Sequence, residues 1–423
     1  MANQGESGEG MMANERLRQW MGRGVVEKTD TARGLSIRLL RNVDGGVLTI
    51  GVVAESEVDH HVHALLDLLA WHHYEIAART KPANHVRIGL ARGNKTELAL
   101  PALRTLQRNH TGSPHIEIHV ESRDHAEPQF ILDEGDPPTF DGADPTRYAK
   151  YLEAWYKREP TGLAQELLRR SPDAERLRLY PQLSQAASGQ WSLRLDGLQV
   201  GLVGESSGTL QVGGTESSSQ IAAKTWRMLG GDLAVTPDTL DDAVNRIHQL
   251  ALSLGDEPGE LLDHGLPEHA LESAVVRGDI AVSIGGRPLA PIGADPSRIA
   301  HGSQIPTLWS PDGTVRYLDA LMRDGQVPWA IEMKVKAGGG YGAYLRHAVG
   351  QAVLYRHFLR SAPAYVPWFA HHSLDPQALR AAVLYPRPTA DVQRKIAGRI
   401  GNLWLIAAAF DVQVVTVDAG RLQ

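Results

Sequence analysis

Residues 315–335 read VRYLDALMRDGQVPWAIEMKV, and this stretch decides how the C-terminal third of the chain folds. Two apolar-rich segments flank the dipeptide Asp324-Gly325, and Asp-Gly between such segments is a strong local signal for a β-hairpin. If Asp324 and Gly325 form a two-residue turn, Arg323 pairs with Gln326. The stretch therefore predicts two antiparallel strands joined by a tight turn.

In that register Asp319 lies opposite Ala330, and Glu332 lies diagonal to Asp319 across the hairpin. Lys334 follows Glu332 on the same face, because strand side chains alternate with a period of two. A slip of one residue would separate these side chains. The hairpin therefore predicts that Asp319, Glu332 and Lys334 project together from one face of a sheet.

Two carboxylates and an ammonium on apolar strands are costly to bury unless something compensates their charge. A hard cation compensates the carboxylates well, and Mg²⁺ prefers one or two of them while it keeps several waters. Such an ion lowers the pKa of a bound water and neutralises charge on a phosphodiester, and a lysine adds a further positive charge. The alternative is a charged solvent face on which Glu332 and Lys334 are merely paired. The pattern favours a Mg²⁺ or Mn²⁺ site that cleaves phosphodiester bonds.

Asp319 followed by the segment IEMK at 331–334 resembles the PD-(D/E)xK nuclease superfamily, in which an Asp ends one strand and an E-x-K lies on the next. Downstream, residues 351–355 read QAVLY, which is similar to the Q-x-x-x-Y motif of the RecB-like and Cas4-like branch. Leu318 replaces the first proline of the motif, a position that varies widely in the superfamily. The resemblance covers about residues 260–423 and implies a restriction-endonuclease-like core with the element order αβββαβ.

The resemblance also assigns roles to individual residues. In the superfamily the Lys positions the nucleophile, and the Gln and Tyr orient the substrate. Many members place a further metal ligand on the first core helix, where Glu268 and Glu272 share one face and we favour Glu268. The implied catalytic residues are Asp319, Glu332, Lys334, Gln351 and Tyr355. The implied ligands of Mg²⁺ or Mn²⁺ are Asp319, Glu332, the carbonyl of Met333 and, through water, Glu268.

Strands and helices alternate along the sequence, which predicts a multidomain α/β protein. Its 423 residues, 42% of them hydrophobic, are enough for two or three cores. Cysteine is absent, which excludes disulfides, thiolate zinc sites and cysteine nucleophiles and fits a cytoplasmic location. The longest apolar stretch, residues 403–410, is too short to cross a membrane, so we expect no membrane partner.

Charge is distributed unevenly along the chain. The net charge is −6, yet residues 277–423 hold 16 Lys and Arg against 10 Asp and Glu, a balance of +6. Residues 1–276 hold 27 against 39, a balance of −12. A basic region attracts phosphate backbones, although ordinary surface variation also accounts for the difference. Together with the nuclease resemblance, the charge predicts a nucleic-acid partner, DNA in preference to RNA.

Composition shifts divide the chain into five predicted segments. We expect the N-terminal α/β domain, whose fold is unassigned, to recognise a target, an activating ligand, a partner protein or a second copy of the chain in a homodimer. The segments are a disordered tail or N-terminal extension at 1–34, the N-terminal α/β domain at 35–126, a linker at 127–144, a helical region with a small β-sheet at 145–259, and the nuclease-like domain at 260–423.

The predicted function is that of a divalent-metal-dependent nuclease, with restriction, repair or defence against foreign DNA suggested by family analogy alone. The alternative is a nuclease fold that has lost catalysis and serves as a nucleic-acid-binding or scaffold module. Retention of the complete Asp, Glu and Lys set argues against that alternative, because a degenerate site is expected to lose at least one of them.

Two weaker patterns each have two interpretations. The predicted helix at 58–77 carries five histidines, and His61 and His72 return to nearly the same face, which indicates either a metal site or, as we favour, the polar outer face of an amphipathic helix. Arg346 and His347 lie one turn before the Q-x-x-x-Y motif. They either contact phosphate or lie on a solvated helix surface.

Overall fold

The structure is a computed structural model of the chain. In the residues that it describes, the chain is a mixed α/β protein in which strands form three sheets. The described residues are 6–22, 26–27, 39–44, 47–53, 56–78, 85–122, 129–138, 160–181, 190–212, 220–255, 267–292, 302–307, 316–335, 343–388 and 390–418.

The N-terminal sheet consists of β1 (Val26–Glu27), β2 (Leu39–Asp44), β3 (Val47–Val52), β4 (His85–Leu90), β5 (His115–Glu121) and β6 (Phe130–Leu132) in that spatial order. Two helices connect its parallel strands β3, β4 and β5, because parallel neighbours require a crossover: α2 (Val58–Ala78) and α3 (Asn94–Asn109). The edge strand β6 pairs with β5 inside the stretch predicted as a linker at 127–144, so that prediction is wrong there.

A helix that the sequence analysis did not foresee, α1 (Glu6–Met21), packs on this sheet. Ala13, Leu17 and Met21 recur every four residues and are all buried. The expectation of a disordered tail over residues 1–34 is therefore wrong for this helix. The first residues of the helix are polar or glycine, so the sequence pattern does not show its one apolar stripe. That stripe is enough to hold the helix against the sheet.

Two glycines make room for α1 on the sheet. A Cβ atom on Gly51 would lie only 2.6 Å from the sulfur of Met21, and one on Gly89 would overlap the ring of Trp20. Because glycine lacks a side chain, the helix approaches the strands closely at both positions.

Truncation of the central contact residue of α1 should destabilise the protein. Leu17→Ala is expected to cost about 2–4 kcal/mol of unfolding free energy, because Leu17 is fully buried and its removal leaves a cavity. Denaturant-induced unfolding measures the change. Gln19→Ala, on the exposed face of the same helix, is the control and should cost less than about 0.5 kcal/mol. Equal stability of the two variants would mean that the helix does not pack on the sheet.

The middle region contains an antiparallel sheet with the spatial order β11-β10-β9-β8-β7 and three helices. The strands are β7 (Leu177–Pro181), β8 (Trp191–Leu195), β9 (Leu198–Val203), β10 (Gly208–Leu210) and β11 (Leu233–Val235), and the helices are α4 (Gly162–Arg170), α5 (Gln220–Met228) and α6 (Leu240–Leu254). The sequence of this region also predicts a helix at residues 145–158, which lie outside the described residues.

The C-terminal region begins with α7 (Pro267–Arg277) and continues through a mixed sheet. Its strands are β12 (Val282–Ile284), β13 (Arg287–Pro291), β14 (Ser303–Thr307), β15 (Arg316–Asp324), β16 (Val327–Met333), β17 (Arg380–Pro386) and β18 (Val412–Val417), and its later helices are α8 (Ala343–Ser361), α9 (Val366–His371) and α10 (Ala390–Ala409). β15 runs antiparallel to both β14 and β16, whereas β16, β17 and β18 are parallel. Helices α8 and α10 provide the two parallel crossovers.

The β15–β16 hairpin forms as predicted, but its turn is one residue later. Asp324 pairs with Val327, so the turn consists of Gly325 and Gln326 rather than Asp324 and Gly325. Gly325 adopts a φ of +59°, a conformation that a tight hairpin turn requires and that glycine adopts without strain. Each residue of β15 therefore pairs with a residue of β16 that is two positions later in the sequence than the predicted partner. Because the shift is even, the side chains keep the predicted face.

The three sheets share one hydrophobic core in the described part of the chain. It runs without interruption from Leu48 through Trp191 to Val414, one residue from each region. Helix α2 of the N-terminal region packs against both α8 and α10 of the C-terminal region. The domain boundaries stay predictions. A second cluster of buried hydrophobic residues, from Leu271 to Val417, lies wholly within the C-terminal region. This region therefore buries one part of its core by itself and shares another part with the rest of the protein. None of the helices in the described residues is apolar enough over sufficient length to cross a membrane.

Candidate active site

Asp319 and Glu332 form the centre of an acidic cluster on the C-terminal sheet. The observed register pairs Ala320 with Ile331, and its extension by one pair places Asp319 directly opposite Glu332. Their exposed fractions are 8% and 2%. The backbone N–H of Met333 donates a hydrogen bond to Asp319 Oδ2 at 2.6 Å, which fixes the aspartate against the neighbouring strand. The prediction that both carboxyl groups share one face is confirmed.

Lys334 immediately follows β16 and supplies the positive charge of the cluster. Its Nζ atom lies 2.8 Å from Glu332 Oε1 and 2.8 Å from Glu268 Oε1, so the ammonium bridges a strand and the helix α7. The side chain is only 8% exposed. Tyr344, at the start of α8, donates a hydrogen bond to the other oxygen of Glu268, and its ring lies 5.4 Å from the ammonium. The structure thus brings Glu268 to Lys334.

The charges of the cluster shift one another's proton affinity. Burial, reinforced by the negative charge of Glu332, raises the pKa of Asp319 well above its ordinary value. Burial raises the pKa of Glu332 to about 7, although the ammonium of Lys334 opposes the shift. Burial alone would lower the pKa of Lys334, but the carboxylates of Glu332, Asp319 and Glu268 raise it well above its ordinary value. The cluster therefore has more buried negative charge than one lysine neutralises.

Glu272 lies one turn after Glu268 on α7 and is 3% exposed. The side-chain amide of Gln304 donates a hydrogen bond to Glu272 Oε2 at 2.9 Å. The negative charge of Glu272 contributes to the raised pKa of both Asp319 and Glu332, so this carboxylate also faces the cluster. Gln304 was not predicted, because neither its neighbours in sequence nor its spacing distinguish it from any other polar strand residue.

The two residues of the Q-x-x-x-Y segment have different surroundings. Tyr355 is buried and donates a hydrogen bond from its hydroxyl to the carbonyl oxygen of Tyr317 at 3.1 Å. Burial, together with the charges of Glu332 and Asp319, raises its pKa well above the ordinary value, so it lies beside the cluster. Gln351 is half-buried, and the structure gives it no side-chain hydrogen bond to a described residue. The charges of the cluster therefore act on Tyr355, whereas no described interaction links Gln351 to the cluster.

A divalent cation is the simplest group to balance this cluster, and part of the donor set fits one. Glu332 Oε2 is buried and has no hydrogen-bond partner among the described residues, which leaves a carboxylate oxygen available as a ligand. In the described residues no group of three or more His, Asp or Glu side chains surrounds a common metal position. Mg²⁺ needs only one or two carboxylates, because waters complete its coordination. Met333, predicted to offer its carbonyl, contacts the cluster through its N–H group.

The side chains next to the Q-x-x-x-Y segment are buried against helix α2. Arg346 Nη2 and His347 Nε2 contact the same oxygen of the fully buried Asp67 of α2, at 2.6 Å and 3.2 Å. The solvated-surface interpretation of these two residues is therefore wrong, since both are buried in a link between α2 and α8. The favoured interpretation of the histidine helix also fails in part, because His61 and His72 are buried.

Comparisons of the chain with protein-family models, with curated proteins and with solved structures found no match. The function of the cluster is therefore inferred from its own geometry and chemistry.

Proposed function

We propose that residues 260–423 form a restriction-endonuclease-like core of the PD-(D/E)xK kind, and that it hydrolyses phosphodiester bonds with Mg²⁺ or Mn²⁺. The observation that carries this proposal is the pair Asp319 and Glu332, which face one another in a buried position with the Lys334 ammonium beside them. The order of helix, strands, helix and strand around this pair supports the proposed core.

In the proposed mechanism the carboxylates of Asp319 and Glu332 hold the cation, and Glu268 or Glu272 assists through water. The bound cation would supply an activated water and positive charge beside the scissile phosphate. Lys334 stays protonated because its pKa is raised, which suits it to orient the water or stabilise phosphate charge rather than to remove a proton. Tyr355, whose hydroxyl donates to the Tyr317 carbonyl oxygen on β15, would help to hold the strand that carries Asp319.

A nucleic acid is the substrate that this chemistry and the +6 balance of residues 277–423 favour, and we propose DNA in preference to RNA. The N-terminal region would then recognise a target, a partner protein or a second copy. The second candidate function is a nucleic-acid-binding module without catalysis. One observation favours it: an oxygen of Asp319 already accepts a backbone hydrogen bond, so the fold uses part of this carboxylate without a cation.

Incubation of the purified full-length protein with linear DNA, circular DNA and RNA tests this proposal. Cleavage is expected with Mg²⁺ or Mn²⁺ and should fall at least about a hundredfold in EDTA, because the proposed nucleophile depends on the cation. Loss of circular as well as linear DNA would indicate an endonuclease. Binding of DNA without cleavage under every metal condition would instead support the second candidate, and cleavage that persists in EDTA would contradict the proposed site.

A further inference from the structure

A side chain of the middle sheet reaches the edge of the acidic cluster. Arg194, on β8, donates a hydrogen bond from Nη1 to Gln304 Oε1 at 3.0 Å. The amide nitrogen of the same Gln304 donates to Glu272 Oε2 at 2.9 Å. Arginine, glutamine and glutamate thus form a continuous chain of hydrogen bonds from the middle region to the cluster.

Gln304, the middle residue of this series of hydrogen bonds, also lies next to Asp319 in the sheet. On β14, Ser303 pairs with Ala320 and Ile305 pairs with Leu318, so the intervening Gln304 lies opposite Asp319. Glu332 flanks Asp319 on the other neighbouring strand, so the aspartate lies between Gln304 and Glu332.

The backbone conformation and the burial of Gln304 indicate that the surrounding structure fixes the position of its side chain. Its φ is +50°, a left-handed conformation that is strained for a residue with a side chain and persists only where the surrounding structure imposes it. Gln304 is 8% exposed, and both ends of its amide are used. Because the carbonyl end accepts from a guanidinium, the nitrogen end must point at Glu272, and the orientation of the amide is fixed.

Arg194 is itself held in place from several sides. Its Nη1 atom also donates to the carbonyl oxygen of Gly197 at 3.3 Å, and its guanidinium lies 5.4 Å from the centre of the Tyr180 ring. These contacts orient the guanidinium toward Gln304 and leave it no direct contact with a carboxylate of the cluster among the described residues. The described hydrogen bonds therefore connect Arg194 to the cluster through Gln304.

We infer that Arg194 and Gln304 are positioning residues, which hold Glu272 in the orientation from which it would assist, through water, the cation site of Asp319 and Glu332. This inference rests on the proposed metal-dependent function and adds to it, because it makes the middle sheet a contributor to the site. The segment from 260 to 423 would then lack a part of its own active site. Partners that orient metal-binding carboxylates commonly change metal affinity 10- to 100-fold when they are removed.

The test is a double-mutant cycle on Mn²⁺ affinity in the full-length protein, with free Mn²⁺ measured by electron paramagnetic resonance. Arg194→Ala and Gln304→Ala are each expected to weaken Mn²⁺ binding about tenfold. In the Glu272→Ala background, Arg194→Ala should cost less than about twofold, because the residue through which it acts is gone. Arg194→Lys, which keeps a donor, should recover part of the affinity. If Arg194→Ala fails to fold, Arg194→Gln replaces it in the same cycle.

Tyr180→Phe is the matched control, because the Tyr180 hydroxyl on β7 contacts Ser303 and so links the same two sheets without Gln304. It should leave Mn²⁺ affinity within about twofold of the wild type. The inference would be overturned if Arg194→Ala lowered Mn²⁺ affinity equally in the wild-type and Glu272→Ala backgrounds. It would also be overturned if Tyr180→Phe lowered Mn²⁺ affinity as much as Arg194→Ala does. In both cases the proposed metal site would stand. A wild-type protein that binds no Mn²⁺ would overturn the proposed function and this inference together.

Discussion

Asp319→Asn is expected to remove nuclease activity and, in the same protein, to raise its stability. Activity should fall at least about a hundredfold, because the amide cannot replace the negative charge that holds the cation beside the phosphate. Stability without metal should rise by about 1–4 kcal/mol at pH 8, because a neutral side chain replaces a buried carboxylate. Burial and the neighbouring Glu332 already raise the pKa of Asp319, so its ionised form is disfavoured in the fold.

The substitution keeps the shape of the site. The side-chain oxygen of asparagine still accepts the hydrogen bond that the Met333 N–H donates to Asp319. Cleavage assays with Mn²⁺ and denaturant unfolding in EDTA measure the two effects. Asp324→Asn makes the same chemical change on the same strand, at a position whose only described ion pair is a 3.4 Å contact with Arg287, and it should change neither quantity. A less stable or fully active Asp319→Asn variant would show that the carboxylate serves the fold and not the reaction.

Local patterns in the sequence predicted the elements that carry the site. The alternation of polar and apolar residues predicts strands at His115–Glu121 and Val412–Val417, and the structure gives both strands these bounds. The hairpin of 315–335 was predicted from its turn residues, and the shared face of its charged side chains is confirmed. Each of these features depends on residues close together in the sequence, where the alternation of polar and apolar positions is informative.

Features that depend on distant contacts were missed. The hydrogen bond between Gln304 and Glu272 joins residues 32 positions apart, and the one between Arg194 and Gln304 spans 110 positions. Neither Arg194 nor Gln304 belongs to a sequence motif, so no spacing rule identifies these two residues. The burial of Arg346 against Asp67 was missed for the same reason, since the partner lies 279 positions away. From the sequence alone, a charged residue on a helix is predicted to be exposed unless its buried partner is known.

The helix α1 was missed for a different reason. Its first residues are glycine, serine and glutamate, a composition that is typical of disordered segments. Ala13, Leu17 and Met21 lie on one face only because the helix forms, and the helix is stabilised by the sheet against which it packs. Tertiary packing outweighs local composition here, and a single sequence gives no measure of that packing.

The stability of the metal-free protein should depend on pH through Glu332, and comparison with Glu332→Gln isolates this dependence. The pKa of Glu332 is raised by burial to about 7 in the fold, from an ordinary value of 4.5. The folded state therefore binds this proton more tightly than the unfolded state does. The stabilising contribution is fully present below about pH 4.5 and is lost as the pH rises through about 7.

In EDTA, the unfolding free energy of the wild type relative to Glu332→Gln is expected to fall by about 3 kcal/mol between about pH 5 and pH 8. Denaturant unfolding of both proteins at half-unit steps of pH measures the difference. Half-buried histidines with a lowered pKa, such as His63 and His73, also change stability with pH, but both proteins contain them and their effect cancels. Saturating Mn²⁺ should abolish most of the fall at pH 8, because the cation stabilises the ionised carboxylate. Parallel profiles in EDTA would mean that Glu332 titrates in the folded protein as it does in water, and that the carboxylate pair has no need of a cation.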